Sequence, residues 1–176
     1  YSLLNALPRI PELVAAAKKF GMTALALTDN GNLYGAIEFY KECKNQGLKP
    51  IIGVDCYLAP RARFDKEHRV DNRSSRLVLL AKNQTGYKNL LKLVTASFVD
   101  GFYYRPRIDK ELLEKYHEGL IALTACLKGE IPRAIMNGNF EQARELVLKY
   151  QKLFGDNNFY LELQHHPNIP EQQKVN

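Results

Sequence analysis

Four short stretches carry the side chains best suited to chemistry: Thr28-Asp29-Asn30, Asp55, Thr124-Ala125-Cys126 and Gln164-His165-His166. Carboxylate, thiolate and imidazole are the usual ligands of zinc, manganese and iron, so these residues drawn together would form a metal site. Cys126 with an inward-facing His166 is the best pair available, His165 then facing solvent, but two ligands do not complete a site. Taken singly, the residues have plainer roles. Asp29 caps the following helix, Asp55 meets a backbone amide, and Cys126 is a small buried apolar side chain. The pair His165-His166 precedes Pro167 at a loop start, unlike the i, i+4 histidines of a metalloprotease helix. His68 and His117 read as solvated surface residues. No nucleophile elbow, Walker loop or dinucleotide fingerprint is present, since Gly31-Asn32-Leu33-Tyr34-Gly35 lacks the glycine spacing.

Two further stretches are basic. Phe102-Tyr103-Tyr104-Arg105-Pro106-Arg107 interleaves aromatic and cationic residues, which suits stacking on bases and neutralising phosphates, or equally a loop that packs its rings and solvates its arginines. The connection over 60–76 contains Arg61, Arg63, Lys66, Arg69, Arg73 and Arg76 against Asp65, Glu67 and Asp71. Its net positive charge suits a DNA-facing surface, and its mixed signs suit a plain solvated loop.

The elements that must position these residues alternate. Helices are expected over 11–20, 35–46 and 85–98, over a segment capped by Asp109 and ending at 116, and over 139–154 behind an Asn139/Gln142 capping box. Leu13, Val14, Ala17 and Phe20 lie on one side of the first; Ile37, Tyr40 and Cys43 share one face of the second. Strands are expected over 23–28, 50–58, 77–81, 119–123 and 159–163. Strands separated by helices demand right-handed crossovers, in an open sheet or a barrel, and chemistry then belongs at the strands' C-terminal ends. The 60–76 connection is poor in apolar residues and reads as a surface loop or mobile excursion.

With 176 residues, 45% apolar and 25% charged, the chain suits one globular domain. Its 25 Lys and Arg against 19 Asp and Glu give a net charge of +6, which permits attraction to a polyanion without establishing it. No apolar run approaches the ~20 residues of a membrane span. Cys43, Cys56 and Cys126, odd in number and without a CxxC pair, argue against a disulfide framework and fit a reducing cytoplasm. The absence of an initial methionine and a helix-like 172–176 without a cap read as a piece of something longer.

Several stretches together resemble the polymerase and histidinol phosphatase (PHP) domain at the start of bacterial DNA polymerase III alpha subunits. They include Tyr1-Ser2-Leu3-Leu4, Ala26-Leu27-Thr28-Asp29-Asn30-Gly31-Asn32-Leu33, Lys49-Pro50-Ile51-Ile52-Gly53 and Leu77-Val78-Leu79-Leu80-Ala81-Lys82-Asn83. Pro106-Arg107-Ile108-Asp109 and Ala125-Cys126-Leu127-Lys128-Gly129-Glu130-Ile131 follow, so the likeness spans nearly the whole chain.

The resemblance implies an α/β chain with the PHP fold, a distorted (β/α)7 TIM-like barrel, as one domain over 1–176 of a longer polymerase. In family members with an intact site, His, Asp, Glu and Cys at the barrel mouth hold a metal cluster that hydrolyses phosphoesters. Here Asp55, Cys126 and His166 stand at remnant ligand positions, Asp55 where Glu is usual, and Pro167-Asn168 replaces the glycine after the histidine. Asn5, Asn30 and Arg76 stand where the family has ligands, and Arg76 brings a fixed positive charge. The implied reading is a structural or docking module without catalytic residues of its own, zinc or manganese being the metals of any residual site. The parent is then a cytoplasmic DNA-directed DNA polymerase using magnesium. The implied partners are the polymerase core of the same chain, a proofreading exonuclease subunit, other replicase subunits, and DNA through the parent, with no membrane. The rival implied by the same family is an active metal-dependent phosphoesterase or 3'-5' exonuclease.

Overall fold

Aliphatic runs become strands and helix-period segments become helices, as chain chemistry requires, in the computed structural model, which describes residues 6–176. The order is α1 (Ile10–Lys19), β1 (Ala24–Asn30), α2 (Ala36–Gln46), β2 (Lys49–Leu58), β3 (Ser75–Ala81), α3 (Gln84–Val99) and β4 (Arg107–Ile108). Then follow α4 (Lys110–Tyr116), β5 (Leu120–Leu123), α5 (Glu130–Met136), α6 (Phe140–Phe154), β6 (Phe159–Tyr160) and α7 (Pro170–Val175). The side-chain caps fall where turn chemistry places them. Asn83 accepts from the Gly86 amide at 2.9 Å, Asp109 from Leu112 at 3.0 Å and Asn139 from Gln142 at 3.1 Å.

The strands form a six-stranded mixed sheet in the order β1-β2-β3-β5-β6, with β4 beside β2. β1 and β2 run parallel, whereas β3 is antiparallel to both β2 and β5. The expectation of right-handed crossovers, which implies parallel strands, is thereby corrected at β3. No helix lies in the 60–74 connection, so the chain returns beside β2 in the opposite sense. β4 and α5 were not anticipated, being only two and seven residues long. The last strand ends at Tyr160, not 163; Leu161 and Leu163 are exposed beyond it.

Alternation along β2 divides its side chains between two faces. Val54, Cys56 and Leu58 enter the main core with Leu77 and Leu79 of β3, Leu90 and Leu93 of α3, Leu113 of α4 and Tyr150 and Phe154 of α6. Burial pushes the Cys56 thiol pKa well up, with the Asp55 charge adding to it, so this cysteine is a protonated core residue. A second cluster joins Ile10, Val14 and Ala17 of α1 to Phe39 and Cys43 of α2. α2 therefore buries Ala36, Phe39 and Cys43, and Ile37 and Tyr40 point outward, against the face expected from sequence. Phe20 likewise lies outside, beyond the end of α1.

The largest departure concerns the 60–76 connection, which is built around buried charge and is no plain solvated excursion. Arg107, 1% exposed, donates to the carbonyls of Gly101, Asp71, Arg63 and Asp65 at 2.8–3.0 Å. The Arg63 guanidinium and backbone amide bond Asp109, tying the connection to the cap of α4. Asp71, wholly buried, accepts from Arg61 at 3.0 and 2.5 Å and from the Glu67 amide at 2.8 Å.

The Arg61 hydrogen bonds hold the Asp71 carboxyl below its ordinary value of 3.8, against the opposing effect of burial. A depressed carboxylate contributes stability that is complete above its unfolded pKa and lost as pH falls through its folded one. Asp71→Asn is therefore expected to lower stability at neutral pH and to flatten the acid limb below about pH 4. Urea midpoints measured across the acid range check this; parallel profiles for the two proteins would show that Asp71 is not the titrating group.

Candidate functional site

Register alone brings three of the singled-out residues together. Asn30 lies opposite Asp55 across β1 and β2, and Tyr57 lies opposite Arg76 across β2 and β3. Asp55 and Tyr57, two apart on one strand, share a face, so Arg76 reaches Asp55 on the diagonal. Its Nε donates to Asp55 Oδ1 at 2.8 Å, and a terminal nitrogen donates to both Asp55 Oδ2 and Asn30 Oδ1. The ion pair is largely out of solvent, with side chains 13% and 20% exposed.

Burial works against the Arg76 charge, but the hydrogen bond and charge of Asp55 outweigh it, and the guanidinium pKa stands above its ordinary value. It stays ionised at every accessible pH. Its carbon also stands 4.3 Å from the centroid of the Tyr57 ring, which Arg105 approaches at 4.9 Å while donating to the Tyr57 hydroxyl at 2.8 Å. Gly31, at φ +67°, makes the turn out of β1; a Cβ there would stand 3.0 Å from both the Tyr57 ring and Pro106. That position needs glycine both for its left-handed backbone and for the close approach of the ring.

Cys126 sits in the 124–129 loop after β5, which bridges to Arg76 at Gly129. That loop is held to β3 by the Arg76 amide, which donates to the Lys128 carbonyl at 3.0 Å. It turns through Ala125 at φ 60°, a conformation non-glycine residues adopt at some cost, which concentrates at functional segments. His166 is exposed, on the irregular segment after β6, and its backbone carbonyl accepts from Ile169 at 3.1 Å. The structure thus draws Asp55, Asn30, Arg76 and Cys126 into one neighbourhood and leaves His166 on the surface. Asn5 lies outside the described residues.

The metal cluster implied by the family can be tested against these donors. Both Asp55 oxygens and the Asn30 oxygen are already engaged by a guanidinium, and no three His, Cys, Asp or Glu of the described residues are grouped to hold an ion. A fixed positive charge among the donors opposes a cation electrostatically. The residues present do not fit the metal.

The basic aromatic stretch at 102–107 resolves differently from a nucleic-acid platform. Arg107 is buried and engaged by backbone carbonyls, Arg105 is directed at Tyr57, and Tyr103 packs edge-on against Tyr104 with centroids 4.7 Å apart. Sequence reading missed Tyr57 and Arg105 as part of the site. The available signal was the two-residue spacing of Asp55 and Tyr57, which places both on one strand face.

A mixed sheet carrying helices, with charged and polar side chains converging at strand ends, defines a domain of the α/β class. The chain belongs to the PHP domain family, whose model matches residues 1–166. It is 53% identical to the DNA polymerase III subunit alpha of Borreliella burgdorferi, covering 100% of this chain and 15% of that protein. The same subunit of Treponema pallidum is 46% identical over 99% of this chain and 15% of its own length, and that of Aquifex aeolicus 47% identical over 100% and 16%. The chain thus spans about 15% of the length of these relatives. Among solved structures, an amidohydrolase from Chromobacterium violaceum with bound sulfate and no metal matches 50% of this chain and 27% of its own at 18% identity, with a TM-score of 0.36. That likeness is too slight to weigh. No helix of the described residues is long and apolar enough to cross a membrane.

Proposed function

We propose that this chain is the PHP module of a bacterial DNA polymerase III alpha subunit, a cytoplasmic DNA-directed DNA polymerase, and that it acts there as a scaffold and not as a hydrolase. The polymerase context is supported by the match of 99–100% of this chain to alpha subunits. The scaffold role is carried by one observation: Arg76 is locked between Asp55 and Asn30. A guanidinium there supplies positive charge permanently, so these strand ends hold together without an ion. Asp55, Cys126 and His166 are then vestiges of a ligand set and not a working centre.

In this reading the partners are the polymerase core of the same chain, a proofreading exonuclease and other replicase subunits. DNA and magnesium are engaged elsewhere in the parent. An exposed aromatic run supports a packing role: Tyr34, Phe98 and Phe102 stand in sequence with centroids 6.3 Å apart and are 64%, 37% and 49% exposed. Such contiguous apolar surface marks interfaces in soluble proteins.

The full-length protein is expected to extend a primed template with magnesium and to release no product from single-stranded DNA or a phosphomonoester when manganese or zinc is supplied. Metal-stimulated hydrolysis abolished by Cys126→Ala and His166→Ala would establish the hydrolase instead. Failure of primer extension would remove the polymerase reading.

A further inference from the structure

An open cavity of about 460 Å³ lies immediately beside Arg76 and is lined by Tyr57, Arg73, Arg76, Arg105, Lys128 and Arg133, with no Asp or Glu in its wall. The cations come from five places in the chain: the 60–74 connection, β3, the stretch before β4, the 124–129 loop and α5. Only the folded topology gathers them. Of the five, Arg76 alone has a carboxylate partner; Arg73, Arg105, Lys128 and Arg133 form no ion pair with any described residue.

This protein treats its other positioned arginines differently. Arg61 and Arg63 are each given carboxylates, and Arg107 is engaged by carbonyls on every side. Around the cavity, by contrast, Arg105 and Arg133 are oriented by neutral groups that leave their charge uncompensated. Arg105 is held by the Tyr57 hydroxyl and ring, and Arg133 donates to the Ser74 carbonyl at 3.0 Å, each with further N–H groups free. The Lys128 backbone is pinned to β3 by the Arg76 amide. Like charges fixed around one space without a counter-ion repel one another, and an anion entering that space relieves the repulsion.

The arrangement selects among anions. A carboxylate presents two oxygens in one plane and is served by a single arginine fork. A phosphate presents oxygens in several directions and is served by cations that surround it, as they do here. We propose that this cavity binds a phosphate group, either as the free anion or as the terminal phosphate of a polynucleotide. The inference goes beyond the scaffold role and does not depend on which partners the domain docks.

The test uses the full-length protein titrated calorimetrically with inorganic phosphate at constant ionic strength, chloride serving as the control. Saturable binding is expected, weakened at least tenfold in Arg73→Ala/Lys128→Ala and in Arg105→Ala. All three side chains are exposed, so the variants are expected to fold, and unchanged thermal unfolding and primer extension verify that they have. A second arm compares an oligodeoxynucleotide bearing a 5'-phosphate with the same sequence ending in a 5'-hydroxyl. A tenfold preference for the phosphate, lost in the variants, assigns the site to a polynucleotide end; equal binding with saturable inorganic phosphate assigns it to the free anion. Absence of saturable phosphate binding, or variants that bind phosphate as tightly as the unaltered protein, overturns the proposal. Primer extension reads the polymerase assignment separately, so the two can fail independently.

Discussion

Arg107→Met is expected to destabilise this domain by about 3–5 kcal/mol, the cost of leaving several buried carbonyls without their donor. The aliphatic replacement fills much of the volume, so the loss is one of hydrogen bonds and not of space. The carbonyls of Gly101, Asp71, Arg63 and Asp65 would all lose their donor in a region that excludes water. Each unsatisfied buried acceptor costs about 1–3 kcal/mol, although local opening of the chain to water caps the sum. The effect should be regional: the 60–74 connection, joined to the body through Arg107 and the Arg63–Asp109 pair, would detach first. Arg107→Lys is expected to recover only part of the loss, because one ammonium cannot reproduce the directions of a guanidinium fork. Urea unfolding with hydrogen exchange read at the β2 and β4 amides provides the measurement. An unfolding free energy within about 0.5 kcal/mol of that of the unaltered protein, the ordinary range for surface changes, would refute the structural role.

Arg107 also shows where sequence reading stops. Its neighbours are aromatic and basic, a composition equally suited to stacking on bases and to packing inward, and only the fold decides between these. The strands and most helices were legible because periodicity and caps are local. Asp109 and Asn139 announce helix starts by chemistry that acts over three residues. The antiparallel return of β3 was not legible, since nothing in a polar connection states which way the chain leaves it. On α2 the apolar residues Ile37 and Tyr40 competed with Phe39 and Cys43 for the inner face, and the second core settled the choice through α1. Asp55 and Asn30 could be singled out by type and position and Arg76 by the family resemblance, but their mutual engagement depends on two strand registers. The cationic cavity was least legible of all, because its residues are scattered from Tyr57 to Arg133.

Arg76 decides whether this strand-end site is a closed structural pair or an open cation site, and Arg76→Met separates the two. The change leaves the Asp55 carboxylate, 20% exposed, without its partner. Breaking a fully buried pair costs about 3–5 kcal/mol; partial hydration here brings the expected loss to about 2–4 kcal/mol, since water screens exposed charge. Asp55→Asn alone should cost a similar amount, as it strands the guanidinium. The double variant is expected to be more stable than either single one, because an uncompensated charge is worse than none. The decisive readout is the response to divalent ions. In the unaltered protein Arg76 occupies the oxygens of Asp55 and Asn30, so millimolar manganese should leave thermal unfolding unchanged. In Arg76→Met those oxygens are released, and manganese should raise stability by roughly 1.4 kcal/mol for each tenfold excess over its dissociation constant. Manganese that stabilises both proteins equally would mean that the ion binds elsewhere and that Arg76 does not take a cation's place. Manganese that stabilises only the variant would show that one arginine side chain here does the electrostatic work of a bound ion.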